Sequence, residues 1–340
     1  MPANIHLQAL GVFLPEQRFS LAKARKLELC GREVRNEDIV SVPIAGTVAP
    51  VDLAAEAARR ALAVLPEDDR KIDLLLNAVP LTSGPAGWSQ SGYLLRELGL
   101  GGIPGFDLYQ ACNGWLAALE MAAGWLAVHP GDDRALLATG TNAGDPRMDR
   151  WHSAGPGVVL GDGGCAAVLG RSPGIASVDA IASTTIPEIE GVHRGATPVN
   201  ADSHVYTTTD VMARAAEFCA RSGLASLDLQ GRMAQGYQEV TRRALDEAGI
   251  GPADLARVIF PHMSRDLMTL FIMMPLGLKP ELGNAEFARR VGHLGAGDFV
   301  ASLDHLLAAG ELFPGDRVLL AGGTGGFNAA CAVLTIGERS

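Results

Sequence analysis

Aromatic residues make up only 5% of this 340-residue chain, and its five cysteines show neither a CxxC pair nor a Cys/His ligand spacing. Cys30, Cys112, Cys165, Cys219 and Cys331 are odd in number and scattered, which indicates neither a disulfide framework nor a zinc site. A reducing cytosol is therefore the expected compartment. No stretch reaches the roughly 18 apolar residues that a membrane span needs. The opening Met1-Pro-Ala-Asn-Ile-His lacks the basic and apolar regions of a secretory leader, so a soluble protein is expected. An excess of positive charge is missing too. The formal net charge is −10, which disfavours nucleic acid and anionic membrane surfaces as partners, because both require a basic footprint.

Hydrophobic residues at 48% with so few aromatics describe an Ala/Val/Leu-rich α/β interior large enough for a sizeable core. The length suits two fused units better than one, and an internal repeat supports that division. Leu119-Glu-Met-Ala-Ala-Gly-Trp-Leu-Ala-Val-His-Pro-Gly-Asp reads against Leu303-Asp-His-Leu-Leu-Ala-Ala-Gly-Glu-Leu-Phe-Pro-Gly-Asp. Arg134-Ala-Leu-Leu-Ala-Thr-Gly-Thr reads likewise against Arg317-Val-Leu-Leu-Ala-Gly-Gly-Thr. Residues 1–170 form one expected half and 171–340 the other, the second comprising a loop-rich insertion over 171–232 and a repeat over 233–340. Apolar spacing predicts helices over 52–64, 88–98, 115–128, 237–248 and 298–309, and strands over 72–79 and 258–260. Helix 115–128 is apolar nearly all round, which in a soluble protein means burial between layers. Such alternation favours parallel or mixed sheets covered by helices.

One cysteine stands out by position. Tyr109-Gln-Ala-Cys112-Asn-Gly precedes the apolar helix, placing Cys112 where a strand turns into a helix start. A helix start offers unpaired N–H groups and a positive dipole end, which suit a thiolate nucleophile and a developing oxyanion. Cys165, Cys219 and Cys331 sit in apolar surroundings and read as core. Gly161-Asp162-Gly163 lacks the frame of a phosphate loop and reads as a tight turn between strands.

These segments together resemble the thiolase superfamily, and within it the ketoacyl-ACP synthase III branch. Phe106-Asp-Leu-Tyr-Gln-Ala-Cys112-Asn-Gly is similar to that branch's nucleophile segment, Leu160-Gly-Asp-Gly-Gly-Cys-Ala-Ala-Val to its Gly-Asp-Gly stretch, and Val258-Ile-Phe-Pro-His262 to its Pro-His motif. Gly322-Gly-Thr-Gly325-Gly-Phe resembles the terminal loop whose N–H completes the oxyanion hole. The resemblance implies an α/β thiolase-like fold, two duplicated half-domains in an αβαβα arrangement, and a homodimer without metal or redox cofactor. His262 then has a catalytic or substrate-polarising role and Gly325 an oxyanion role beside the Cys112 N–H; His193, in the insertion, reads either as a solvent-facing loop histidine or as lining the acyl pocket.

Two departures bear on function. The branch opens its Asn-Thr-Ser-Ala-Ala-Ser loop with Asn, whereas this chain has His293-Leu-Gly-Ala-Gly-Asp298. A carboxylate beside an imidazole fixes one tautomer and makes the ring a general base, although Asp298 would also serve as a helix cap. The pattern resembles the branch's acyltransferases of polyketide antibiotic pathways, which move an acyl group from a CoA or carrier-protein thioester to a hydroxyl-bearing acceptor. In addition, the family's Trp-containing CoA-stacking segment is missing, the first tryptophan being Trp88. A decarboxylating condensing enzyme and a non-catalytic partner subunit stand as the alternatives.

Overall fold

The computed structural model describes residues 5–81, 83–129, 131–145, 148–200, 210–324 and 327–338. The first half contributes β1 (His6–Phe13), β2 (Arg18–Ser20), α1 (Leu21–Lys26), β3 (Ser41–Pro43), α2 (Pro50–Ala63), β4 (Leu74–Ala78), α3 (Gln90–Glu97), β5 (Gly105–Leu108), α4 (Gly114–Val128), β6 (Ala135–Thr141) and β7 (Gly163–Gly170). The second contributes β8 (Ala176–Thr185), α5 (Val211–Ser222), α6 (Ser226–Ala248), β9 (Leu255–Ile259), α7 (Arg265–Met268), α8 (Ala285–Val291), α9 (Asp298–Ala308), β10 (Arg317–Thr324) and β11 (Asn328–Ile336).

Nine strands run in the order β5-β4-β6-β7-β1-β8-β11-β10-β9. The β4–β5, β4–β6 and β9–β10 pairs are parallel, and the others in the order antiparallel. Only His6 and Leu7 of β1 pair with β8, so this narrow seam joins two arrays. The repeated segments 134–141 and 317–324 coincide with β6 and β10, which stand three strands from the seam on either side.

Period-two burial then assigns the layers. Leu74 and Leu76 of β4, with Ala135 and Leu137 of β6, face a core shared with Leu116 and Leu119 of α4 and Phe299 and Leu303 of α9. Val318 and Leu320 of β10 reach that core from the other array. Leu75, Leu136 and Ala138 point the opposite way, onto Val51, Ala54 and Ala58 of α2. Leu319 and Ala321 pack on Tyr237, Val240 and Ala244 of α6. The result is helix, sheet, helix, sheet, helix. Helix α4 is apolar nearly all round because it lies between two sheets, Trp115, Leu116, Leu119 and Leu126 being fully buried and Glu120 and Met121 exposed. Helix α2 lies against the first array at short range, since a Cβ on Gly164 would come within 1.9 Å of the Leu53 carbonyl oxygen.

The segment 171–232 departs from its loop-rich reading. It holds the central strand β8, all of α5 and the first turns of α6. Ala176-Ser-Val-Asp-Ala-Ile-Ala-Ser-Thr-Thr does alternate, but with Ala, Ser and Thr as its repeating units, so the pattern reads as turn-forming polarity. Cys165 and Cys331 are buried, whereas Cys219 on α5 is half-buried rather than core. No helix among the described residues is long and apolar enough to cross a membrane.

Candidate active site

Cys112 lies on a sharp elbow. Strand β5 ends at Leu108, a 3-10 turn covers Ala111–Asn113, and α4 begins at Gly114. Ala111 carries the bend with a φ of +43°, a left-handed conformation that costs a non-glycine residue about 1 kcal/mol or more. The packing that holds it is tight, since a Cβ on Gly114 would meet Ala78 Cβ at 3.2 Å and Ala296 Cβ at 3.6 Å. Among the described residues the Cys112 N–H has no backbone acceptor. Asn113, fully buried, anchors the turn by donating from Nδ2 to Asn328 Oδ1.

His293 arrives from the other half of the chain. Helix α8 stops at Gly292, whose φ is +72° and where a Cβ would stand 2.6 Å from Val42 Cγ1 and 2.7 Å from the Val159 oxygen. Glycine alone fits this left-handed, crowded position. Residue 293 then pairs as a short strand with the segment before β7: its N–H donates to Val159 O at 2.8 Å, and Gly161 N–H donates to its carbonyl at 2.9 Å. The Gly161-Asp162-Gly163 stretch, expected as a turn, instead leads into β7 and splints the histidine. Asp162, fully buried, takes two bonds from the Arg150 guanidinium at 2.8 and 3.0 Å and the N–H groups of Ala45 and Ala143 at 2.8 Å each.

The ring of His293 bridges nucleophile and acid. Nε2 lies 2.8 Å from Cys112 Sγ, and Nδ1 lies 2.5 Å from Asp298 Oδ2. Asp298 is the first residue of α9 but does not cap it. Its oxygens instead accept the N–H of Leu294 at 2.7 Å and that of His262 at 2.6 Å. Burial works against charge on His293, yet the Cys112 thiolate and the Asp298 carboxylate outweigh it and lift the ring well above its ordinary 6.5. Burial also works against the Asp298 carboxylate, but His262 and His293 hold it below the usual range. The arrangement sets the imidazole between the Cys112 sulfur and a buried carboxylate that favours its charged form.

His262 is also in this cluster, but not as a free donor. Its Nδ1 lies 2.7 Å from Gly292 O and its Nε2 2.8 Å from Ser302 Oγ, and burial pushes its pKa down. Its Nδ1 also lies 3.2 Å from Asp298 Oδ1, but with the ring neutral this is a dipolar contact rather than an ion pair. Both ring nitrogens of His262, for which a catalytic or substrate-polarising role was expected, meet protein groups. His193, itself exposed, ends the turn Pro187–His193, whose Ile189, Gly191 and Val192 are buried, and it makes no hydrogen bond to the cluster among the described residues. Gly325 lies outside the described residues. Sequence reading missed Ser302, Asn284 and Arg150, whose roles arise only from long-range contacts.

Two stretches match family models: residues 106–185 match 3-oxoacyl-[acyl-carrier-protein] synthase III, and residues 245–336 match the C-terminal part of the same family. The chain is 30% identical over 306 residues to beta-ketoacyl-[acyl-carrier-protein] synthase III 4 of Streptomyces coelicolor, covering 86% of this chain and 85% of that protein. It is 28% identical over 287 residues to the mycobacterial beta-ketoacyl-[acyl-carrier-protein] synthase III of Mycobacterium tuberculosis, with 83% and 80% covered. Among solved structures, ChlB3, described as an acyltransferase, superposes with a TM-score of 0.91 at 35% identity over 99% of this chain and 98% of that one. The synthase III from Pseudomonas aeruginosa PAO1 shares the fold at a TM-score of 0.79 and 22% identity, with 99% of each chain covered.

Proposed function

The chain belongs to the 3-oxoacyl-[acyl-carrier-protein] synthase III family of thiolase-fold acyltransferases, and on that premise we propose that it transfers an acyl group intact, malonyl among the candidates, from a thioester to a hydroxyl. The observation that carries this reading is the unbroken line from Cys112 Sγ through His293 to Asp298. In the first half-reaction the thiolate attacks the carbonyl of a CoA or carrier-protein thioester. The departing thiolate takes the proton from the His293 imidazolium, leaving a neutral ring beside an acyl-enzyme. In the second, His293 Nε2 accepts the acceptor's hydroxyl proton as its oxygen attacks, and Cys112 leaves as thiolate. The oxyanion is held by the Cys112 N–H and, on family resemblance, that of Gly325. The acceptor is a secondary-metabolite alcohol, and the enzyme works as a cytoplasmic homodimer.

A second reading, decarboxylative condensation, draws support from relatives named as beta-ketoacyl synthases. It requires neutral donors to an enolate, whereas His293 sits 2.5 Å from a carboxylate and His262 has no free ring nitrogen. A non-catalytic partner role leaves the assembled Cys112–His293 contact without a use. The deciding experiment incubates wild type and Cys112→Ala with acyl-CoA and a panel of alcohols. Ester formation by wild type and none by the variant is the expected result, and ester formation by Cys112→Ala at the wild-type rate contradicts the proposal.

A further inference from the structure

The buried side of His262 carries a chain of hydrogen bonds that runs through Ser302 to Asn284. Asn284 Oδ1 accepts the Phe260 N–H at 3.2 Å, and its Nδ2 donates to Phe260 O at 2.8 Å, so the amide orientation is fixed by one backbone residue. The same Nδ2 therefore presents its second hydrogen to Ser302 Oγ, 3.0 Å away. Ser302 Oγ accepts there and keeps its own hydrogen and a second lone pair, so it can meet His262 Nε2, 2.8 Å away, in either sense. Gly292 O, 2.7 Å from Nδ1, can only accept, so Nδ1 carries the ring's proton, and in the neutral ring Nε2 is bare and takes the Ser302 hydrogen. Asn284, Ser302 and His262 are each at most 5% exposed, so water does not compete for these bonds.

We propose that Asn284 and Ser302 are positioning residues that lock His262 as the neutral Nδ1–H tautomer, reserving the charge of Asp298 for His293 and keeping His262 out of proton transfer. The proposal rests on the reading of His293 as the base. Its physical content is competition. The charged groups that face His262 are Asp298 from α9, His293 from the preceding loop and Asp38 from the crevice on its outer side, and Asp38 is already engaged by Arg35 at 2.6 Å. Phe287 of α8 covers another face of the ring with its edge, 5.5 Å between centroids. A proton on His262 Nε2 would make an imidazolium that shares Asp298 and repels the proton on His293. To form it, Ser302 would have to turn its hydrogen away and accept from Nε2 and Asn284 Nδ2 at once. Breaking the lock thus raises the basicity of His262 and lowers that of His293.

Selective 15N-histidine NMR on the intact protein reads the tautomer directly. The lock predicts one ring with a protonated Nδ1 and an unprotonated Nε2 throughout pH 5.5–8.5, a signal absent from His262→Gln. An imidazolium or Nε2–H form of that ring in wild type overturns the lock. The pH profile of acyl transfer from preformed acyl-enzyme gives the functional arm. Ser302→Ala shifts the acidic limb about one unit to lower pH, and Ser302→Thr, which keeps the hydroxyl, restores it. A Ser302→Ala variant that slows transfer equally at every pH overturns the positioning role. If Ser302→Ala fails to fold, the wild-type NMR alone decides. A neutral Nδ1–H ring together with a failed transfer assay would fault the acyltransfer reading and leave the lock intact.

Discussion

The carboxylate of Asp298 separates the two half-reactions. Replacing it by Asn keeps the size but puts a donor where the N–H of either Leu294 or His262 also points, and it removes the charge from behind His293. Transfer to the acceptor is expected to fall by roughly 10²- to 10⁴-fold in Asp298→Asn, with a smaller loss in acylation of Cys112, as single-turnover assays would show. An equal loss in both steps contradicts the assigned role. His293 is raised in part by the Cys112 thiolate, so Cys112→Ala should lower the pH at which its ring titrates, measured by NMR. Stability carries the same sign logic. Asp298 is depressed in the folded state, so its contribution is present above the ordinary carboxylate value of 3.8 and is lost as pH falls through the lower, folded value. His293 is elevated, so its contribution is full below 6.5 and fades as pH rises through the folded value. At this scale the sequence was legible wherever chemistry sits inside a short motif. Cys112, His293 and Asp298 could be read that way, and folding closed the 181-residue gap between nucleophile and base. The fate of His262 could not, because Ser302 lies 40 positions away and nothing in Pro-His discloses which nitrogen it meets.

At the level of elements, the glycine that ends α8 sets where the base stands. Gly292→Ala would force a Cβ into Val42 and the Val159 carbonyl at a φ of +72°. A loss of about 2 kcal/mol or more in unfolding free energy is expected from chemical denaturation, along with a transfer rate reduced more than acylation. Wild-type stability and rate in that variant would mean that the His293 loop is not held by this crossing. Helices with strong apolar periodicity were legible almost to their ends, as Gly114–Val128 and Asp298–Ala308 show. Helix α6 begins at Ser226 rather than 237, because Gly231 and Gly236 in its first turns read as breakers while its contacts with β8 and β11 hold the chain helical. Strand β8 was hidden for a related reason: its small residues carry little hydrophobic signal, and its place in the sheet comes from pairing with β11.

For the whole molecule, strand β5 ends the sheet order and leaves an unpaired edge beside Phe106, 49% exposed, and Tyr109, 55% exposed, just ahead of the nucleophile turn. Bare edges with exposed aromatics invite pairing with another chain. Sedimentation velocity at micromolar concentration should give a dimer, and Phe106→Asp should shift it toward monomer, whereas a monomeric wild type contradicts the homodimer. The duplication was legible at this scale from two repeated segments, since β6 and β10 with α4 and α9 keep like sequence in both arrays. The layering was not, because it depends on which face of each strand meets which helix. The central claim is that an acyl group passes through Cys112 without losing a carboxylate. Intact mass spectrometry after incubation with malonyl-CoA tests this most directly, with Cys112→Ala as control. An adduct on Cys112 retaining the whole malonyl mass, absent from the variant, is the predicted result. An acetyl-type adduct with malonyl consumed only beside it, and carbon dioxide released, would contradict the account and establish a condensing enzyme.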